Sequence, residues 1–150
     1  LKDFGSSKQR VEIDIKKWLF KELVLKEKEF RKSLKEHDWS KYNDKLVAVF
    51  CSSDVIIPTW AYMLVCVQLE PFADFTCLGS LKQLEIDLFN SNIQQLDSSL
   101  YSDKRVLIKG CSETYIPESA YVSIVKKLMP VVKSVMFGEA CSNVPVFKKR

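Results

Sequence analysis

The chain has 150 residues, a length typical of a single domain, and 47% of them are apolar, so a sizeable core can form. Its net charge of +4 comes from interspersed acidic and basic residues, whereas nucleic-acid-binding proteins concentrate lysine and arginine on one face. The longest predominantly apolar run, residues 56–69, is too short to span a membrane. We therefore expect one domain over residues 1–150, with neither nucleic acid nor a membrane as its partner.

Short elements are predicted over the first third of the chain. Residues 1–9 have the character of a loose lead-in, and the alternation of apolar and polar residues over 11–15 predicts a strand. The apolar triplet 23–25 predicts a second short strand, and the apolar spacing over 27–36 predicts a helix. The continuous apolar run 46–50 is typical of a strand that is covered on both faces.

An internal repeat occupies much of the remaining chain. Residues 44–79 align with 103–138 at a constant offset of 59 residues without a gap, and eleven of the 36 positions are identical. Each copy has an apolar strand, a polar loop, a proline that can open a helix (Pro58, Pro117) and a second strand. Between the copies, Ser80 predicts the start of a further helix. A crossover helix makes the two strands of a copy parallel, so we expect an α/β fold. We expect a mostly parallel sheet with flanking helices, built on internal duplication of a βαβ unit.

The five cysteines indicate the chemistry that the chain could carry. Their number is odd and the chain is larger than a small secreted disulfide scaffold, so we expect free thiols in a reducing, cytoplasmic setting. Cys66 and Cys77 fall inside apolar periodic runs, so we expect both to be buried and unreactive.

The other three cysteines, Cys51, Cys111 and Cys141, are each followed by serine and each come soon after a predicted strand. Open α/β sheets build binding sites at the carboxyl edge of their strands, so we expect these three side chains at one sheet edge. Three thiolates suit Zn²⁺ or an iron–sulfur cluster better than a hard cation. The residues that could supply a fourth ligand are His37, Asp54, Glu118 and Glu139.

Three hypotheses about function stay open at this point. The first is a non-enzymatic accessory protein that binds a metal ion or an iron–sulfur cluster through these cysteines, although no CxxC pair is present. The second is a thiol-based sulfur or redox relay that uses mainly Cys111, and the third is a protein-interaction module with inert cysteines. Trp60, Tyr62 and Tyr121 lie near the predicted helix starts and could line a pocket, although aromatic residues at helical spacing more often belong to a core.

A family resemblance is carried by several stretches, namely IKKWLF, EHDWSKY, IPTWAYM, KGCS, PESAYV and PVVKSVMFGEACSNVPVFKK. Over residues 11–150 the sequence resembles a family of uncharacterised bacterial proteins that is catalogued as a domain of unknown function (the twenty-four-eighty family). The resemblance implies a small cytoplasmic protein with no established activity and no established site residues. It also implies genes that lie beside iron–sulfur assembly genes of the Suf type, which makes iron–sulfur assembly proteins the expected partners.

Overall fold

The computed structural model describes residues 1–110 and 113–150. The chain divides into two compact units, which we call the N unit (Ser7–Leu84) and the C unit (Leu1–Ser6 with Glu85–Arg150). None of the helices in the described ranges combines the length and the apolar character that crossing a bilayer requires.

The N unit is built on a three-stranded parallel sheet. Its strands are β1 (Arg10–Asp14), β2 (Leu46–Phe50) and β3 (Phe75–Leu78), in the order β1-β2-β3. Helix α1 (Glu27–Glu36) follows β1, and helix α2 (Thr59–Leu69) is the crossover between β2 and β3. The first four residues of β2 are fully buried, which agrees with a central strand covered on both faces.

The core of the N unit is formed by the apolar face of each element. On α2 the inward positions recur at intervals of four residues, which places them on one side of the helix. The buried side chains of this core are Ile13, Ile15, Phe30, Leu34, Trp39, Tyr42, Val47, Val49, Ala61, Val65 and Leu69. Full burial of a large apolar side chain contributes about 1.5–3 kcal/mol, so this cluster is the main source of stability in the unit.

The C unit contains a second three-stranded sheet, in the order β4-β5-β6. Its strands are β4 (Arg105–Ile108), β5 (Ser134–Glu139) and β6 (Ser142–Lys148). Helix α4 (Glu118–Leu128) is the crossover between the parallel strands β4 and β5. Helix α3 (Leu81–Gln95) begins in the N unit, where Ser80 Oγ accepts a hydrogen bond in its first turn, and ends in the C unit.

The α/β class is confirmed, but the prediction of one mostly parallel sheet is wrong in two respects. The described strands form two sheets of three, and the second sheet is mixed because β6 runs antiparallel to β5. Only the two turn residues 140–141 separate these strands, and a parallel return would need a crossover of a dozen or more residues.

Two short segments of the N-terminal region also differ from the prediction. Residues 1–9 were expected to form a loose lead-in, but Lys2–Phe4 is a 3-10 turn, and Phe4 packs against the core of the C unit. The Phe4 carbonyl accepts a hydrogen bond from Asn92 Nδ2 at 2.8 Å, which anchors the turn. Residues 23–25 make a single bridge, between Val24 and Phe20, and lie largely exposed, so they lack the neighbours that a strand requires.

The segments related by the offset of 59 residues have matching local geometry. In both, a first strand pairs in parallel with a second across a helix of eleven residues. Pro58 and Pro117 occupy the N-cap positions of α2 and α4, with φ −58°, ψ 135° and φ −58°, ψ 138°. Each segment has a glycine at the end of its second strand. The φ angle is 127° at Gly79 and 126° at Gly138, in a backbone region that glycine adopts most readily.

The matching geometry begins earlier than the sequence alignment suggests. Helix α1 ends at residue 36 and α3 at residue 95, which again differ by 59. Phe30 of α1 and Phe89 of α3 are both buried. After each helix an aspartate, Asp38 or Asp97, caps a 3-10 turn by accepting a hydrogen bond from a backbone N–H two residues later, at 3.0 Å in both cases.

Candidate functional site

The three cysteines of the predicted metal site follow strands that belong to different sheets. Cys51 comes directly after β2 in the N unit, and Cys141 lies in the turn between β5 and β6 in the C unit. Cys111 lies outside the described residues. The prediction of one shared edge assumed a single sheet. Because the described strands form two sheets, Cys51 and Cys141 follow strands of different sheets.

The described ranges contain no group of three or more His, Cys, Asp or Glu side chains placed to hold a metal ion. Of the expected fourth ligands, Asp54 is exposed in the loop after β2, and Glu118 is exposed in the first turn of α4. Glu139 is partly exposed at the end of β5, two residues before Cys141. With Cys111 undescribed, the three-cysteine metal site stays a prediction.

His37, the remaining candidate ligand, ends α1 and contacts several aromatic rings. Its Nε2 lies 2.9 Å from the hydroxyl of Tyr42, and its ring centroid lies 4.7 Å from that of Trp39. Burial lowers the pKa of His37, and the nearby charges of Lys17 and Lys41 lower it further. The ring is thus a packed neutral imidazole whose Nε2 already has a partner.

Cys66 and Cys77 were both expected to be buried. Cys77 is buried in β3, as predicted. Cys66 is only half-buried on α2, because the side of the helix that faces the core is occupied by Ala61, Val65 and Leu69. Burial raises the pKa of the Cys66 thiol and the nearby carboxylate of Glu70 raises it further, so its thiolate is disfavoured.

The three aromatic residues predicted to line a pocket have different surroundings. Trp60 and Tyr62 are half-buried and pack against the core of the N unit. Tyr121 contacts Phe137 edge-on, with ring centroids 5.7 Å apart. Together with Val122, Val125 and other apolar residues of the C unit, Tyr121 lines a shallow depression of about 440 Å³.

Asp14, which the sequence analysis did not select, organises the loop after β2. Asp14 is the last residue of β1, and its Oδ1 accepts hydrogen bonds from the backbone N–H groups of Lys16 at 3.0 Å and Ser52 at 3.1 Å. Its Oδ2 accepts the Ser52 hydroxyl hydrogen. Burial raises the pKa of Asp14, but the hydrogen bonds from Ser52 and Lys16 outweigh this effect and hold the pKa below its usual value. The only sequence signal for this role is its position near the carboxyl end of the strand predicted over 11–15.

The loop that carries Cys51 is anchored on several sides. Beside the bonds to Asp14, the Ser53 hydroxyl donates to the carbonyl oxygen of Glu22 at 2.8 Å. The half-buried Cys51 thiol donates to the carbonyl oxygen of Ser53 at 3.8 Å. Burial raises the pKa of Tyr62, and the charges of Cys51 and Asp14 raise it further. We call Asp14, Cys51, Ser52, Ser53 and Tyr62 the Cys51 site.

The Cys51 site has the location and the groups of a small binding site. It lies at the carboxyl end of a parallel sheet, where open α/β folds place their ligands. It combines the thiol and the serine hydroxyls of the anchored loop with the Asp14 carboxylate at the end of β1 and the Tyr62 phenol of α2. A thiol held in this way can form a bond to the sulfur of another molecule.

Comparisons with known proteins identify a family. The family model described as "Protein of unknown function (DUF2480)" matches residues 1–149. No curated protein and no solved structure matches the chain. Because the match covers nearly the full length, the resemblance predicted from the sequence motifs is confirmed, and the chain belongs to the DUF2480 family of proteins of unknown function.

Proposed function

We propose that this chain is a thiol-dependent accessory protein of the cytoplasm, in which Cys51 exchanges sulfur bonds with a partner protein. The observation that carries the proposal is the anchored loop at the carboxyl end of the first sheet, in which Cys51 is half-buried, its thiol donates to the Ser53 carbonyl and the adjacent Ser52 is bonded to Asp14. The relay hypothesis from the sequence favoured Cys111. Among the described cysteines, Cys51 is the one whose loop is anchored by hydrogen bonds to Asp14 and Glu22.

The other described cysteines support this choice by contrast. Cys77 is buried in β3, so its thiol is not accessible to a sulfur atom of another protein. The pKa of Cys66 is raised by burial and by Glu70, which disfavours its thiolate. Cys141 is exposed in the two-residue turn between β5 and β6.

The proposed chemistry is thiol–disulfide or thiol–persulfide exchange. The Cys51 thiolate attacks one sulfur of a partner's disulfide or persulfide, a new S–S bond forms to Cys51, and the old S–S bond breaks. The partner's other sulfur leaves as a thiolate and takes up the proton that Cys51 lost. The number of S–S bonds is conserved, so no separate oxidant is required. Asp14 acts as a positioning residue, and iron–sulfur assembly proteins, suggested by the family resemblance, are the proposed partners.

The test is to identify which thiol carries the exchanged sulfur. Folded protein is incubated with glutathione disulfide or with a glutathione persulfide donor, quenched with acid and mapped by peptide mass spectrometry. We expect an adduct on Cys51 that is lost in Cys51→Ser and retained in the matched control Cys141→Ser. Adducts confined to Cys141, with Cys51 unmodified at the end of the reaction, would contradict the proposal.

We also propose that the two βαβ segments arose by internal duplication. The constant offset of 59 residues, the N-cap prolines Pro58 and Pro117 and the glycines Gly79 and Gly138 support this origin. Superposition of residues 44–79 on 103–138 in an experimental structure tests it, and a different strand pairing in either segment would contradict it.

A further inference from the structure

The first strand of the N unit has no counterpart among the described residues of the C unit. Strand β1 pairs in parallel with β2, and the offset of 59 residues would place its counterpart at residues 69–73. Those residues instead end α2 and form the turn after it. Within residues 1–110 and 113–150, β4 pairs with β5 on one side and no strand pairs with its other edge.

A cleft of about 660 Å³ lies along β4 in the C unit. Its apolar lining includes Val106, Leu107, Ile108, Ile116, Ile124 and Leu128. In the N unit, the residues that correspond to Val106, Ile108, Ile124 and Leu128 form one core with Ile13 and Ile15, which β1 and the residue after it provide. In the N unit, β1 therefore occupies the position that is an open cleft in the C unit.

Burial of the two equivalent strands agrees with this difference. Val47 and Ala48 of β2 are 0% exposed, whereas Val106 and Leu107 of β4, at the same positions of the repeat, are half-buried. An unpaired, partly apolar strand edge is a template for another strand.

The backbone of β4 has the hydrogen-bonding pattern that a further strand requires. In β2 the Leu46 N–H donates to the Gln9 carbonyl next to β1 at 2.9 Å, while the Lys45 carbonyl accepts from the N–H of Asp74 next to β3. In β4 the Lys104 carbonyl likewise accepts from Lys133 at 2.8 Å. Alternate residues of a strand between two parallel neighbours bond to opposite sides, so Arg105 directs its N–H to the outer edge.

Charge distinguishes this edge from that of β2. The repeat places Arg105 and Lys109 where β2 has Leu46 and Phe50. Asp14 is the β1 residue that pairs with Phe50 in the N unit. In a strand that binds β4 in the same register, the residue at the position of Asp14 would pair with Lys109. The positive charge of Lys109 favours an acidic side chain at that position.

We propose that the outer edge of β4 is a strand-addition site for an extended segment of a partner protein. The segment runs parallel to β4, directs alternate apolar side chains into the cleft and presents an acidic side chain to Lys109. In this mode of recognition main-chain hydrogen bonds supply affinity, and alternate side-chain pockets supply specificity. The site is separate from the Cys51 site and does not depend on thiol exchange.

The probe is a capped peptide based on residues 9–16 (QRVEIDIK), the chain's own example of such a strand, with glutamate in place of its arginine because that position pairs with Arg105 in this register. It is titrated into the isotope-labelled full chain and followed by amide chemical shifts. We expect saturable shifts at residues 105–109 and around the cleft, and none with a scrambled peptide. We also expect the Arg105 amide to exchange with solvent faster than that of Leu46 in the free protein, and to be protected by the peptide.

Two variants and a control define the site. Leu107→Lys introduces a charge into the cleft and should weaken binding by about tenfold or more, a change of about 1.4 kcal/mol. Leu100→Lys changes an exposed leucine of the same unit outside the cleft and should leave binding unchanged. Lys109→Glu alters an exposed side chain without threatening the fold, and should weaken binding of the original peptide. A peptide with lysine in place of its aspartate should bind Lys109→Glu better than the original peptide does.

Three results would overturn the proposal. The first is an absence of shifts along β4 at the highest peptide concentration, and the second is an equal response to the scrambled peptide. The third is a concentration-dependent dimer in analytical ultracentrifugation that Leu107→Lys converts to monomer, because it would assign the edge to a second copy of this chain.

Discussion

Replacing Asp14 by alanine should destabilise the N unit by about 2 kcal/mol. The substitution removes the N-cap bond to Lys16, and such caps contribute about 1 kcal/mol. It also removes two bonds to Ser52, each worth about 0.5–1.5 kcal/mol. Ser52 is exposed and water can replace part of what is lost, so the lower end of that range applies.

The matched control is Asp38→Ala. Asp38 also caps a 3-10 turn of the N unit and bonds to the backbone N–H and hydroxyl of a serine, but that serine, Ser40, is only two residues away. The Asp14–Ser52 bonds join residues 38 positions apart and connect β1 with the loop after β2. Asp38→Ala should therefore be the milder change.

Urea unfolding followed by tryptophan fluorescence measures the difference, since Trp18, Trp39 and Trp60 all lie in the N unit. The pKa of Asp14 is lower in the folded state than its unfolded value of about 3.9. Its contribution is thus fully present above pH 4 and is lost as the pH falls through the folded-state pKa. Equal destabilisation by the two variants, or a difference between wild type and Asp14→Ala that persists undiminished below that pKa, would refute the reasoning.

Further measurements test other parts of the description. Cys77→Ala should lower the free energy of unfolding by about 1–2 kcal/mol because the Cys77 side chain is buried. A bulky thiol reagent should label half-buried Cys66 before Cys77 in the folded protein, and the reverse order would contradict the burial. The pKa of His37 is lowered, so the unfolded state binds more protons as the pH falls below about 6.5, and stability should decline from there towards the folded-state pKa. His37→Gln should flatten this decline in urea unfolding between pH 7 and 5.5, and an unchanged slope would argue against it. For the three-cysteine hypothesis, anaerobically purified protein should contain stoichiometric zinc or iron that Cys51→Ser removes; only traces of both metals would contradict it.

Several regular elements could be predicted from the sequence. The helix over 27–36 and the strand over 46–50 have the observed bounds, because apolar periodicity acts within a few residues of chain. Strand β6 was not predicted. Its residues are mostly exposed and it contains Pro145, which a strand tolerates at a sheet edge but which removes the usual sequence signal.

The candidate site depended on contacts that no local pattern encodes. The expected meeting of Cys51 and Cys141 assumed one sheet, and local periodicity does not specify which strands pair. In the sequence nothing distinguishes Asp14 from other aspartates near strand ends. Its role follows from the pairing of β1 with β2, which brings Ser52 within hydrogen-bonding distance. The sequence by itself determined the elements, the α/β class and the family, because these follow from spacing and motif. Only the tertiary structure decided the division into two sheets, the anchored loop of Cys51 and the unpaired edge of β4, because these depend on pairing between residues far apart in the chain.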